Sequence, residues 1–322
     1  MTTETRPAAD RTAQLAYLNL LITMAFFGSA FASSKQVVGE IPHQVAAVLR
    51  FGGGALVLVV AVLLVARGRF TLDRGTAIRA GAVGLLGVFA YNVFFFWGLS
   101  LAPSLDGAVI VPVMSPVITI AFMVVTRRER ASRTRVAGLV VAVLGAALFF
   151  ISVGGAEGGL NSTRLAGDAI FVAGAVCWAA YTITSKSVLK GADPLQATTV
   201  GTAVGALALA AVAAPAIPNV DWAAVSTTSW LNVAYLAIGP TALAYLLYYR
   251  GLRHVAPTTA TIMMFAVPVF GTVCATAFLG ESFTGVQVLA SVITIGGALL
   301  AVTDGRLRST GGDKRSANPV DN

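Results

Sequence analysis

Hydrophobic side chains make up 57% of the 322 residues and charged ones only 11%, and the mean hydropathy is +0.81. A soluble domain usually carries about 25% charged residues, so this composition excludes an ordinary water-soluble fold and makes lipid the main solvent. The net charge of +8 sits in short Lys/Arg clusters between apolar runs, the pattern of membrane loops rather than of a nucleic-acid surface.

Ten apolar segments follow in order. Each is long enough to cross about 30 Å of hydrocarbon as a helix, and each is continuous rather than alternating, which excludes a strand barrel. The first, 15–38, is too long for the apolar core of a cleavable signal and reads as a membrane helix. The second, 45–66, carries Arg50 near its outer end. An ionisable group inside a membrane helix is a functional candidate by default; Arg50 either attracts a carboxylate-bearing substrate or is structural, snorkelling outward or bonding carbonyls. The third, 78–101, places Asn92 among Tyr91, Phe94, Phe95, Phe96 and Trp97, where an amide needs a neighbouring helix or a cavity. The fourth, 105–126, has Asp106 at its outer end and Ser115 before the mid-helix Pro116. Proline frees a carbonyl, so Pro116 is read as a packing kink or as a hinge beside a cavity.

The fifth segment is 136–153. The sixth, 165–189, carries Trp178 and Tyr181 on one face, and the eighth, 230–252, carries Tyr245 and Tyr248 likewise. Such pairs pack or anchor at interfaces, yet Tyr181 and Tyr245 lie nearer mid-membrane and are counted as candidate cavity wall. In the seventh, 195–216, Gly201 and Gly205 form a small face suited to packing within the chain. The ninth, 258–279, contains Pro268, and 286–302 is the tenth. The cysteines, Cys177 and Cys274, lie in apolar runs at no metal or disulfide spacing; no metal or cofactor is expected.

Orientation follows from the basic residues. Arg6 and Arg11, the Arg67–Arg79 and Arg127–Arg135 clusters, Lys186 and Lys190, Arg250 and Arg253, and the basic C-terminal tail all fall on one side of a ten-helix arrangement. Only Lys35 and Arg164 fall on the other. The positive-inside rule then predicts a multi-pass inner (plasma) membrane protein with both termini cytoplasmic.

The second half repeats the first. "FGSAFASSK", ending at Lys35, matches "WAAYTITSK", ending at Lys186. Pro116 and Pro268, Glu129 and Glu281, and Gly145 and Gly297 are each 152 positions apart. Five helices per half force the halves to cross in opposite directions, giving an all-α integral membrane fold of ten transmembrane helices in two inverted-topology five-helix repeats. The expected divisions are an N-terminal tail 1–14, repeats at 15–153 and 165–303, and a C-terminal tail 304–322.

The stretch 249–302 carries a "GL…VAP" turn at Gly251–Pro257, Pro268, "LGE" at Leu279–Glu281 and the Gly296–Gly297 pair. Together with "LRF" at Leu49–Phe51, Pro116 and Glu129, it resembles the EamA family of the drug/metabolite transporter superfamily over roughly 15–303. The resemblance implies a bundle around a central cavity, export of amino acids or other metabolites, and substrate movement between halves by alternating access. "RRE" at Arg127–Glu129 departs from the "LGE" of the second half and reads as a topology anchor. The small multidrug-resistance proteins that this fold resembles use a mid-membrane carboxylate, and no apolar segment here has one; Asp106 is the acid left for coupling protons from the outer side.

The substrate-binding candidates are therefore Arg50, Asn92, Ser115, Trp178, Tyr181 and Tyr245, with Pro116 and Pro268 as hinges. The expected partners are a small-molecule substrate and the bilayer, with no nucleic acid; the sequence fixes no oligomeric state and is compatible with a monomer. The alternatives are a drug or xenobiotic exporter, a non-transporting scaffold, or an intramembrane enzyme. The last lacks paired carboxylates, HExxH and GxSxG, and its two histidines, His43 and His254, lie at opposite helix ends; no catalytic residue is expected.

Overall fold

The structure, a computed structural model, describes residues 6–65, 70–128, 132–154, 162–279, 285–286, 288–297 and 300. Among them there is helix and turn but no strand. The helices are α1 (Arg6–Val38), α2 (His43–Val65), α3 (Arg74–Leu101), α4 (Ser104–Val125), α5 (Arg133–Gly154), α6 (Ser162–Val188), α7 (Pro194–Ala213), α8 (Thr227–Leu252), α9 (257–279) and α10 (Val288–Gly297). Seven of them, α1 to α4 and α6 to α8, are long and apolar enough to cross a membrane among the described residues, and α9 and α10 include shorter apolar stretches. Glu129, Glu281, Arg67, Arg69, Arg130 and the basic tail lie outside the described residues.

Several helices begin before their apolar runs. Asp73 accepts from the Thr76 N–H at 2.9 Å, Asp193 from Gln196 at 2.9 Å and Ser226 from Ser229 at 3.1 Å. Each satisfies an otherwise orphaned donor, so the polar first turn joins the helix although hydropathy ends before it. Conversely, α7 stops at Ala213 rather than running to 216, because Pro215 cannot continue it; a short 3-10 turn follows at Ile217–Asn219.

Two features were not foreseen. The middle of α3 widens into a π-helix at Leu85–Ala90, and the middle of α8 does so at Ala237–Leu243. The two starts are 152 positions apart, the spacing of the sequence repeat. Pro240 lies inside the second and has no N–H to keep the regular ladder. Such widened turns occur often at functional sites.

Packing follows the repeat as well. α1 lies against α8 and α9, while α6 lies against α3 and α4; α2 runs along α7 and meets α8, α7 meets α3, and α4 meets α9. Exchanging the two halves maps this set of neighbours onto itself. Glycines bring the backbones together, since lipid supplies no hydrophobic push between helices. Gly84 of α3 abuts Gly201 of α7, Gly205 abuts Val88, and Gly28 of α1 abuts Gly271 of α9. The Gly201/Gly205 face is thus used inside the chain.

The exterior is apolar. Leu56, Leu63, Leu64, Leu144, Leu207 and Leu231 are exposed, a surface that a water-soluble monomer rarely carries. Trp222 and Trp230, both partly exposed, stack with ring centroids 6.0 Å apart at the start of α8, where amphipathic rings suit the headgroup level.

Candidate functional site

A charged group, Arg50, is buried in the bundle. Its residue exposure is 4%, and it is held by hydroxyls rather than by an acid. Its Nε donates to Thr241 Oγ1 at 3.1 Å, in the π turn of α8, and its Nη1 reaches Ser34 Oγ of α1 at 3.5 Å. The guanidinium carbon lies 4.9, 5.5 and 5.9 Å from the ring centroids of Phe51, Phe95 and Phe96, close enough for cation–π attraction. Among the described residues no carboxylate pairs with it, and Nη2 makes no hydrogen bond. A guanidinium has five donors, so most of this one's capacity stays unused by the protein.

Around it lies a central cavity. Arg50, Tyr245 and Trp178 line it with Phe27, Phe31, Tyr91, Phe95, Pro112 and Met264. Trp178 is the hub of the wall: its ring lies 5.2 Å from Phe27, 5.0 Å from Tyr91, 5.2 Å from both Tyr181 and Tyr248, and 5.8 Å from Tyr245. Among the described residues its indole N–H finds no well-aligned acceptor. The alignment that pairs Lys35 with Lys186 pairs Phe27 with Trp178, so equivalent residues of the two halves meet edge to face at the centre. The cavity admits about 20 Å³ of water centres. That seats a water, not an organic solute, so the bundle is closed around its centre.

The other predicted residues fall at different distances from this cavity. Asn92 is fully buried behind Tyr245: its amide donates to Val88 O at 2.8 Å and approaches the Tyr245 hydroxyl at 3.4 Å, while Oδ1 has no partner. The Tyr245 hydroxyl donates to Gly87 O at 3.1 Å, in the π turn of α3. Asn92 faces a second space between α2, α3 and α7. Tyr181 joins Tyr245 on the wall of a third, between α3, α6 and α7. The Ser115 hydroxyl returns to Val111 O at 2.7 Å, and Ser115 is not part of the central wall. Pro116 lies inside α4, one turn after Pro112, and it is Pro112 that faces the cavity. Pro268 lines a gap beside Val109 and Thr294.

Sequence reasoning missed Phe27, Phe31, Pro112, Ser34 and Thr241. The signal for Phe27 was present in the repeat alignment. The rest had none, because helices apolar all round give no inward face to read.

The acid considered for coupling, Asp106, is not a free carboxylate. Arg164 grips it with a two-pronged pair, Nε to Oδ2 at 2.6 Å and Nη2 to Oδ1 at 2.8 Å, with both residues buried. Two lysines at equivalent repeat positions close the C-terminal ends of equivalent helices. Lys35 donates to Leu99 O at 2.7 Å and Ala102 O at 3.0 Å at the end of α3, and Lys186 donates to the Leu252 and Val255 carbonyls at the end of α8. Each satisfies carbonyls that a helix terminus leaves open. Among the described residues no group of three or more His, Cys, Asp or Glu could hold a metal.

The sequence profile of the EamA-like transporter family matches residues 14–151 and again 165–303. The chain belongs to that family. It is a multi-pass membrane protein and a transporter, and members of the family are transporters rather than enzymes. Among its relatives, the uncharacterized transporter YyaM of Bacillus subtilis is 27% identical over 88% of this chain and 92% of that protein. The aromatic amino acid exporter YddG of Ancylobacter novellus is 25% identical over 87% of this chain and 94% of that protein. The threonine/homoserine exporter RhtA of Salmonella typhimurium is 28% identical over 86% and 87%. A solved crystal structure at 23% identity superposes with a TM-score of 0.70 over 92% of this chain and 98% of its own, which supports the fold.

Proposed function

We propose that this transporter exports amino acids or related amphipathic carboxylates by alternating access, with Arg50 receiving the carboxylate. The observation that carries this reading is a buried guanidinium with no acidic partner among the described residues, facing a cavity walled by aromatic rings. A carboxylate takes two parallel N–H donors from such a fork. An apolar or aromatic side chain then packs on Phe27, Tyr91, Trp178 and Tyr245. A multiply charged nucleotide would need more cations than this wall offers. Relatives named for amino acid export support the same substrate class.

In this reading the chain makes ten crossings as two inverted repeats in the plasma membrane, with both termini cytoplasmic. The half-for-half symmetry of helix neighbours and the matched π turns support it. The halves supply two packings related by a pseudo-two-fold axis, which is what alternating access requires. The closed cavity is then the intermediate between them.

The test is counterflow of labelled leucine and phenylalanine against nucleotide sugars in proteoliposomes. Leucine or phenylalanine exchange that is lost in Arg50→Gln supports the assignment. Nucleotide-sugar exchange that Arg50→Gln leaves intact overturns both the site and the substrate class.

A further inference from the structure

We propose that Asp168 is a proton-binding site at the end of the bundle assigned above as external, carrying its proton while the transporter is closed. The placement of that end rests on the topology proposed above; the proton site itself does not rest on the substrate.

Asp168 lies in the second turn of α6 with only 8% of its surface exposed; among the described residues no N–H or hydroxyl donor reaches either carboxylate oxygen, and the side chain instead meets the Asp106 carboxyl. Its charged neighbours are Asp106 on α4 and Arg164 on its own helix, and Lys35 of α1 is coupled electrostatically to Asp106. The α3–α4 turn packed against Gly167 presents Leu101 and Ala102 and no charge. Both prongs of Arg164 that bond a carboxylate here go to Asp106, and the Lys35 ammonium is taken up by two backbone carbonyls.

An ionised, buried carboxylate with no donor is unfavourable by several kcal/mol in general, and two carboxylates sharing one site do not both stay ionised. Asp106 has the guanidinium, so the proton resides on Asp168. A metal ion fits less well. Two cations already stand beside the pair, no three-ligand group is present among the described residues, and Asp168 lines none of the cavities described above. A proton alone needs no room. Its release breaks the O–H bond at Asp168, leaves the electron pair on the carboxylate and hands the proton to water once α6 parts from α4.

The device exists at one end only. The repeat sets Thr258 opposite Asp106 and Tyr17 opposite Asp168, so no matching carboxyl pair occurs at the other face.

Infrared difference spectroscopy of the full-length protein in lipid tests this without any solute. On acidification from about pH 8 to about pH 5, within the spread of folded-state carboxyl values, the wild type should gain the stretching band of a protonated carboxyl. Asp168→Asn should lose one carboxyl's intensity, and Asp168→Glu should keep a band displaced in frequency. A wild type that gains no such band down to about pH 5 overturns the proposal even if the Asn variant fails to fold, and so does a band that Asp168→Asn leaves unchanged. Because no substrate is added, failure of amino acid exchange and failure of the proton site remain separate results.

Discussion

Arg50 is where a single side chain decides most. Removing one charge-assisted hydrogen-bonded contact usually costs about 1.5–3 kcal/mol, or roughly 10- to 100-fold in affinity. Arg50→Gln is therefore expected to raise the half-saturating concentration of leucine by about that factor in proteoliposome uptake, with folded protein retained on size exclusion. Arg50→Lys should recover only part of it, since an ammonium keeps the charge without the fork. Ser115→Ala provides the contrast. Its hydroxyl back-bonds within its own helix, a slightly destabilising use of serine, and uptake should stay within about 2-fold of wild type. Arg50 and Asn92 were legible in the sequence because a polar group in hydrocarbon stands out. Phe31 and Thr241 were not, because nothing in their type separates a residue facing the cavity from one facing a neighbouring helix.

Between elements, contact depends on small residues and on a few exposed bonds. A Cβ on Gly84 would meet the backbone of Gly201, whereas one on Gly52 would meet nothing. Gly84→Ala should destabilise the bundle by about 1–3 kcal/mol through overpacking, and Gly52→Ala should leave the thermal midpoint unchanged or slightly raised; thermal unfolding in detergent separates the two. At the α1–α2 turn, the Glu40 carboxylate accepts from both the backbone N–H and the hydroxyl of Ser226, each at 2.8 Å. These bonds hold the Glu40 carboxyl below its ordinary value of 4.5. A lowered acid contributes stability that is fully present above 4.5 and is lost as pH falls through the lower folded value. Thermal unfolding measured against pH should therefore fall more steeply on the acid side in the wild type than in Glu40→Gln. The π turns of α3 and α8 belong to this scale too. Pro240 accompanies the widening in α8, but Leu85–Ala90 contains no proline, and its widening depends on neighbours that the linear sequence does not specify.

For the whole molecule, the proposed arrangement predicts that a reporter fused at the C-terminus is cytoplasmic, and that a cysteine replacing Trp222 is labelled by an impermeant reagent from outside intact cells. A C-terminal reporter active outside would remove both the ten-crossing count and the inverted repeat. The closed centre makes a further demand. Since about 20 Å³ admits no amino acid, the proposed alternating access has α1 and α6 separate from α8 and α3 in turn, opening the Phe27–Trp178 contact. The rings rather than the backbones meet here, so a cleavable bifunctional thiol reagent, and not a direct disulfide, is the link to use: joining cysteines at these two positions should abolish counterflow, and cleaving the linker should restore it.

Composition and hydropathy by themselves determined that the chain lives in lipid, since 11% charged residues cannot clothe a soluble surface. The 152-residue spacing of landmarks by itself determined that two related halves exist. Both conclusions rest on averages over many residues, and such averages survive ignorance of which way any one side chain points. Only the tertiary structure decided that Arg50 has hydroxyl and aromatic company instead of an acid, that Asp106 is claimed by Arg164, and that Asp168 is left without a donor. Those facts depend on pairs from distant segments meeting at a few ångströms. In helices that are apolar on every face, periodicity does not say which residues will meet, and the packing of the other helices does.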